Sequence, residues 1–231
     1  MTLRPNSTVS YRLGVFGVWE PVVSQFMREH ISDGAVCIDI GANIGYYTLL
    51  MSHASPHGII YAIEPSPPIL SELNANVAMN GYTNVVVVPY GVSDKVETLN
   101  FHLKDHNRGS SAFAEDGEVR LELWPLADVV PPEHLARTEM LKIDVEGMED
   151  RVMAHVFDIL DKFPRRLTIC AELRIDPSIR ALLAQFQQAG FTSYVLENEY
   201  SSFFYASTKN RSPRPMTDLP DGMHDVALVR K

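Results

Sequence analysis

Cysteine is scarce in this chain: Cys37 and Cys170 are the two in 231 residues, and both sit inside apolar runs. They have no short spacing to each other or to a histidine. They read as small buried hydrophobes, which argues against a disulfide framework and a cysteine-ligated zinc site. Positive charge is scarce too. Lys and Arg number 20 against 29 Asp and Glu, a formal net charge of -9, which argues against a general polyanion-binding surface, so no nucleic acid is expected as a partner. Long apolar runs are absent: none approaches the roughly 20 residues of a membrane-spanning helix. Residues 1–10 carry no apolar secretory core, and the expectation is a cytoplasmic chain with no membrane partner.

What is present is an ordinary apolar fraction, 45%, in a length that suits one sizeable α/β domain and is short for two. Val22, Val23, Phe26 and Met27 have helical spacing, which predicts a helix over 20–31, ended by Ser32-Asp33-Gly34. Strand-like runs over 35–40, 58–63 and 85–89 then alternate with helical stretches over 46–54 and 67–80. The pattern loosens across 91–120, where 96–103 alternates like an edge strand and 105–117 reads as a polar loop beside a site. Regularity returns with strands over 140–144 and 167–173, helices over 150–160 and 177–189, and final strands over 192–196 and 225–229. This alternation predicts an α/β domain over 35–231, with a mostly parallel sheet and helices on both faces. Residues 1–34 form an N-terminal arm and helix packed on it, and ligand sites belong at the carboxyl ends of the strands.

The first strand end reads CIDIGANIGYYT. Asp39 stands near the end of the strand, small residues at Gly41, Ala42 and Gly45 admit a ligand to the backbone, and the free N–H groups of the following helix favour an anionic group. A tight turn alone would explain this much. The second strand ends YAIEP and sets Glu64 about 25 residues after Asp39, where a carboxylate accepts both hydroxyls of a ribose. Nicotinamide dinucleotides require a glycine in the middle slot of G-x-G-x-x-G, and G-A-N-I-G lacks it. The turn suits an adenosine ligand without a pyrophosphate, whose amino acid part lies along the turn. S-adenosylmethionine fits that description.

Taken together and in order, IDIGANIGYYTL, YAIEPSPPILSELNANVAMN, VVVVPYGVSD and LKIDVEGMED resemble the FkbM family of S-adenosylmethionine-dependent methyltransferases, from about Trp19 to Glu172. The first motif marks the methyltransferase superfamily, and KIDVEG followed by Met-Glu marks this family. The resemblance implies a single-domain class I methyltransferase Rossmann-like fold, with a seven-stranded, mostly parallel sheet whose last strand is antiparallel. It implies methylation of a small-molecule acceptor, often a hydroxyl on a sugar or natural product. It further implies that Asp39, Gly41, Ala42, Asn43 and Gly45 line the methionine part, with Tyr46, Tyr47 and Thr48 opening the helix beneath. Glu64 would hold the ribose, Pro65 and Ser66 would enter the adenine pocket, and Gly91, Val92 and Ser93 would border the ring. Asp144, at the fourth strand end, is counted with the cofactor contacts.

LKIDVEGMED also places charge where a buried strand ends. Lys142, Asp144 and Glu146 alternate onto one face before Gly147 lets the chain turn, and burying an ammonium and a carboxylate is costly unless they pair or meet a ligand. Methyl transfer to a hydroxyl needs the oxygen aligned and its proton accepted. Asp144, Glu146, Lys142 and Glu172 are therefore the candidate catalytic residues. Asp144 and Glu172 are candidate oxygen ligands for magnesium, as in metal-dependent methyltransferases of this fold. The alternative is a structural Lys142–Asp144 pair with Glu172 merely solvated. Asn107-Arg108-Gly109-Ser110-Ser111 suggests a lid contact. Glu20 favours a helix dipole with Pro21 in the first turn, and contact with the cofactor is the bolder alternative. Two other functions compete, a Rossmann oxidoreductase and a catalytically silent cofactor-binding module. Assembly into a homo-oligomer is left open.

Overall fold

The strand Val36–Ile40 (β1) is buried along its whole length, as the middle of a parallel sheet covered on both faces must be. It belongs to a computed structural model that describes residues 1, 8–102, 112–113, 117–145, 147–199, 201, 204–205, 213–216 and 220–231. Two helices precede it, Thr8–Phe16 (α1) and Pro21–His30 (α2). The chain then alternates through Tyr46–Ala54 (α3), Ile59–Ile63 (β2), Pro67–Met79 (α4) and Val85–Val88 (β3). Four strands follow, Gly91–Val92 (β4), Glu97–His102 (β5), Ala112–Phe113 (β6) and Val119–Trp124 (β7), and then two short helices, Leu126–Val129 (α5) and Pro132–Leu135 (α6). The second half runs Thr138–Ile143 (β8), Glu149–Asp158 (α7), Leu167–Ile175 (β9), Pro177–Gln188 (α8), Thr192–Val195 (β10), Arg214–Pro215 (β11) and Gly222–Arg230 (β12).

The main sheet has the order β11-β10-β12-β9-β8-β1-β2-β3. Strands β1, β2, β3, β8 and β9 pair in parallel, while β12 runs antiparallel to both β9 and β10. This is the expected mostly parallel sheet with its antiparallel last strand. The two-residue β11 adds an eighth strand at the edge through Tyr194 and Val195.

Period-two alternation decides what each face carries. In β8, Leu141 and Ile143 enter the core shared with α7 and α8, whereas Met140 enters the core shared with α2 and α3. Lys142 shares the face of Met140. Helix α2 buries Val22, Val23, Phe26 and Met27, each contributing about 1.5–3 kcal/mol of transfer free energy.

The loosened stretch differs from expectation. Strand β5 is not an edge strand of the main sheet but an inner strand of a separate sheet, order β4-β7-β5-β6. Phe101, Leu121 and Leu123 bury together with Met148, so tertiary burial supplies what runs of two residues are too short to signal as a period. Helix α1 was also unread, because a nine-residue helix with polar flanks has little pattern of its own. Most of 105–117, including Asn107 to Ser111, lies outside the described residues.

Candidate active site

The turn after β1 is built on backbone that an L side chain resists. Gly41 has φ of 83°, and a Cβ there would lie 1.8 Å from the carbonyl oxygen of Asp144. The turn is thereby pressed against the end of β8. Its N–H group and that of Ala42 donate to Ile63 O at 2.9 and 3.0 Å. Asn43 also has positive φ, 49°, a conformation asparagine tolerates better than most residues, and its Oδ1 accepts from Ile44 N at 2.9 Å. Gly45 starts α3 at φ of 93°.

Glu64 closes the other side of this turn. It is 6% exposed, with Oε2 accepting from Asn43 N at 3.0 Å and Oε1 accepting from Ser66 N at 2.9 Å. Each carboxylate oxygen thus holds one backbone donor and keeps acceptor capacity for another. Burial pushes its carboxyl up to about 7, against the opposing pull of those two N–H groups. Ser66 Oγ is buried without a hydrogen-bond partner among the described residues. An oriented acidic pair of oxygens and an orphaned hydroxyl beside a glycine turn fit an adenosine ligand. Pro65 meets the second sheet there, since a Cβ on Gly91 would lie 3.6 Å from Pro65 Cγ. Val92 is buried in the main core. Tyr46 and Thr48 are engaged elsewhere: the Tyr46 hydroxyl shares a 2.9 Å hydrogen bond with Ser24 Oγ of α2, and Thr48 Oγ1 donates to Asp39 Oδ2 at 2.6 Å. Asp39 is buried, which pushes its carboxyl up to about 6.

Beyond the turn lies the charged end of β8. Lys142 Nζ stands 3.3 Å from Asp144 Oδ2, and its side chain is 1% exposed. Burial disfavours the ammonium, yet the charges of Asp144, Glu20, Asp225 and Asp39 more than offset this and raise its proton affinity. Its ammonium also lies over the Tyr47 ring, 5.1 Å from the centroid. Glu172, half-buried on β9, is pushed up to about 7 by burial and then by the charges of Asp144 and Glu20. Glu146 lies outside the described residues. So the structure brings Asp39, Lys142, Asp144 and Glu172 together beside the Gly41 turn.

The described residues do not fit the magnesium ion expected at Asp144 and Glu172. No group of three or more His, Cys, Asp or Glu among them can hold a metal ion, and the Lys142 ammonium already sits on Asp144. A hard divalent cation needs about six oxygen ligands instead.

A family model described as the methyltransferase FkbM domain matches residues 39–192. The chain belongs to the FkbM methyltransferase family. As a member it is an S-adenosylmethionine-dependent methyltransferase. Its relatives include the 31-O-demethyl-FK506 methyltransferase FkbM of Streptomyces tacrolimicus, 28% identical over 193 residues, covering 69% of this chain and 73% of the relative. The methyltransferase sdnD of Sordaria araneosa is 28% identical over 182 residues, covering 63% and 70%. Among solved structures, an S-adenosylmethionine-dependent O-methyltransferase from Thermotoga maritima aligns with a TM-score of 0.54 at 10% identity, over 96% of this chain and 71% of that one. Fibrillarin from Aeropyrum pernix, with natively bound S-adenosyl-L-methionine, aligns with a TM-score of 0.51 at 11% identity, over 90% and 74%. These two likenesses establish the class I methyltransferase fold. No helix among the described residues is long and apolar enough to cross a membrane.

The sequence singles out Glu20 for a helix-dipole role or a cofactor contact, and it gives Asp225 no role. Glu20 does not cap α2: it makes no side-chain cap hydrogen bond, and its Oε2 instead accepts from the Tyr47 hydroxyl at 2.5 Å. The signal available was a carboxylate between Trp19 and Pro21 at the head of an apolar helix. For Asp225 it was an acid leading into VALV, on the alternation of buried Ala227 and Val229.

Proposed function

We infer that this FkbM family member transfers the methyl group of S-adenosylmethionine to a hydroxyl oxygen of a small-molecule acceptor. The observation that carries the reading is the close approach of the Gly41 turn to the Asp144 carbonyl, which puts the proposed cofactor turn against the charged end of β8. When bound, the cofactor supplies an electrophilic methyl carbon. Glu64 accepts the ribose hydroxyls, and the Asn43 and Ser66 N–H groups hold its oxygens in place. Gly41, Ala42, Asn43 and Gly45 admit the amino acid part to the backbone. Asp144 at the end of β8 orients the acceptor hydroxyl, Glu172 of the neighbouring β9 accepts its proton, and Lys142 supplies the fixed counter-charge.

Support for an oxygen acceptor also comes from the Streptomyces relative, which by its name acts on 31-O-demethyl-FK506. The net charge of -9 favours a small neutral acceptor over a nucleic acid. A mass screen of S-adenosylmethionine with sugars, polyols and hydroxylated natural products tests this. An O-methylated product with matching S-adenosylhomocysteine is expected. Methylation confined to nitrogen or carbon would overturn the oxygen assignment.

A further inference from the structure

Glu20 and Asp225 lie outside the matched span of 39–192, yet both act on the buried ammonium of Lys142. Asp225 of β12 stands directly opposite Glu172 of β9 across an antiparallel pair. Opposed side chains in such a pair have Cβ atoms about 4.5–5.5 Å apart, and like charges there repel. A single shared proton removes the repulsion, which is how two close carboxyl groups part their proton affinities. The Asp225 side chain is fixed from the N-terminal segment: Asn198 Nδ2 donates to its Oδ2 at 2.7 Å, and Asn198 Oδ1 accepts from Val22 N of α2 at 3.2 Å. Glu20, the residue before α2, has φ of 40° and ψ of 70°. Left-handed backbone at a non-glycine residue is strained and persists where the surroundings enforce it. Here the surroundings turn a carboxylate that is 4% exposed toward Tyr47 and Lys142.

We propose that Asp225 and Glu172 act as one proton-sharing pair that takes the proton from the acceptor hydroxyl, with Glu20 as the positioning residue that holds the pair and Lys142 in place. The proposal rests on the methyl-transfer reading above. As the acceptor oxygen gains the methyl carbon, the electron pair of the broken carbon–sulfur bond stays on sulfur. The hydroxyl proton passes to the pair and is released to solvent when the product leaves. The groups facing the pair are Lys142 and Asp144 from β8 and its end, Glu20 ahead of α2, Asn198, and Glu149 at the start of α7. Their balance favours proton retention near neutrality: burial and then the Glu20 charge push Asp225 up to about 8, and burial with Asp144 and Glu20 pushes Glu172 up to about 7.

Carboxyl carbon-13 NMR titration of the S-adenosylhomocysteine complex, for wild type, Glu20→Gln, Glu172→Gln and Asp225→Asn, tests the pair without an acceptor. Mutually dependent steps for Glu172 and Asp225 near neutrality are expected. The Asp225 step, the later of the two, should move acidward by about one unit or more in Glu172→Gln, which removes the charge already present when Asp225 ionises, and both steps should move acidward in Glu20→Gln. The rising limb of the pH profile of kcat for the acceptor found in the screen should move with them, while KM stays nearly constant. Independent steps in the ordinary carboxyl range of about 4, or variant pH profiles that superimpose on wild type, would overturn the proposal. Should Asp225→Asn fail to fold, Asp225→Glu and Glu20→Gln carry the same test. If no compound of the screen is methylated, the acceptor reading falls and the titration still decides the pair.

Discussion

The ammonium of Lys142 stands 3.3 Å from Asp144 Oδ2, the lysine side chain 1% exposed and the aspartate 35% exposed. The aspartate is the open member of the pair, and the lysine is the charge the fold has enclosed. Lys142→Met is therefore expected to destabilise more than Asp144→Asn, because Glu20, Asp225 and Asp39 still neutralise the lysine when Asp144 is lost. Loss of the lysine leaves buried carboxylates without a counter-charge, whereas the contact with the 35% exposed Asp144 is screened by solvent and contributes about 0–1 kcal/mol. The pH dependence has a definite sign. Asp39, Glu172 and Asp225 are raised to about 6, 7 and 8, so their contribution to stability is present at low pH and is lost as pH rises through those values. Without the ammonium their proton affinities rise further. Thermal unfolding should show a small deficit for Lys142→Met near pH 5 and a larger one near pH 8, and equal deficits would contradict this.

The βαβ units were legible because each strand is a short β-branched run and each helix carries its own breaker. Tyr46–Ala54 and Ile59–Ile63 fall where spacing and turn residues put them. The cofactor turn was legible for the same local reason: Gly41, Asn43 and Gly45 adopt the backbone that their residue types favour. What stayed hidden was non-local. Glu20 and Asp225 meet the end of β8 only through the packing of α2 and the placement of β12 beside β9, and no spacing along the chain encodes that meeting. The second sheet was hidden because β4 and β6 have two residues each.

Glu64→Ala is expected to weaken S-adenosylhomocysteine binding by about 1–3 kcal/mol, the range for hydrogen bonds to a charged group. The Glu64 carboxyl is raised to about 7, and ribose hydroxyls donate best to its ionised form. Wild-type affinity should rise with pH between about 6 and 8, and the variant should lose that rise. The stability contribution of Glu64 runs the other way, being present below its ordinary range near 4.5 and lost as pH rises through about 7. Calorimetric titration at several pH values reads the binding, and an unchanged affinity in the variant would remove Glu64 from the ribose site.

Gly41→Ala adds a Cβ at φ of 83°, 1.8 Å from a backbone oxygen. Nothing flexible stands there to yield, so the turn must part from the end of β8. The expected result is loss of cofactor binding together with a melting temperature lowered by several degrees. A variant that binds like wild type would show that the turn and β8 are not pressed together.

Excess EDTA should leave the rate of S-adenosylhomocysteine formation unchanged, since the described carboxylates are arranged around Lys142 and not around a cation site. Loss of turnover on chelation, restored by magnesium, would reinstate Asp144 and Glu172 as metal ligands.

The account stands most directly on where the cofactor lies, and a crystal structure of the S-adenosylhomocysteine complex reads that placement. It should show the amino acid part along the Gly41 to Gly45 turn, both ribose hydroxyls within hydrogen-bond distance of Glu64, and the sulfur directed toward Asp144 and Glu172. A ribose held away from Glu64, or a sulfur turned from the end of β8, would contradict it.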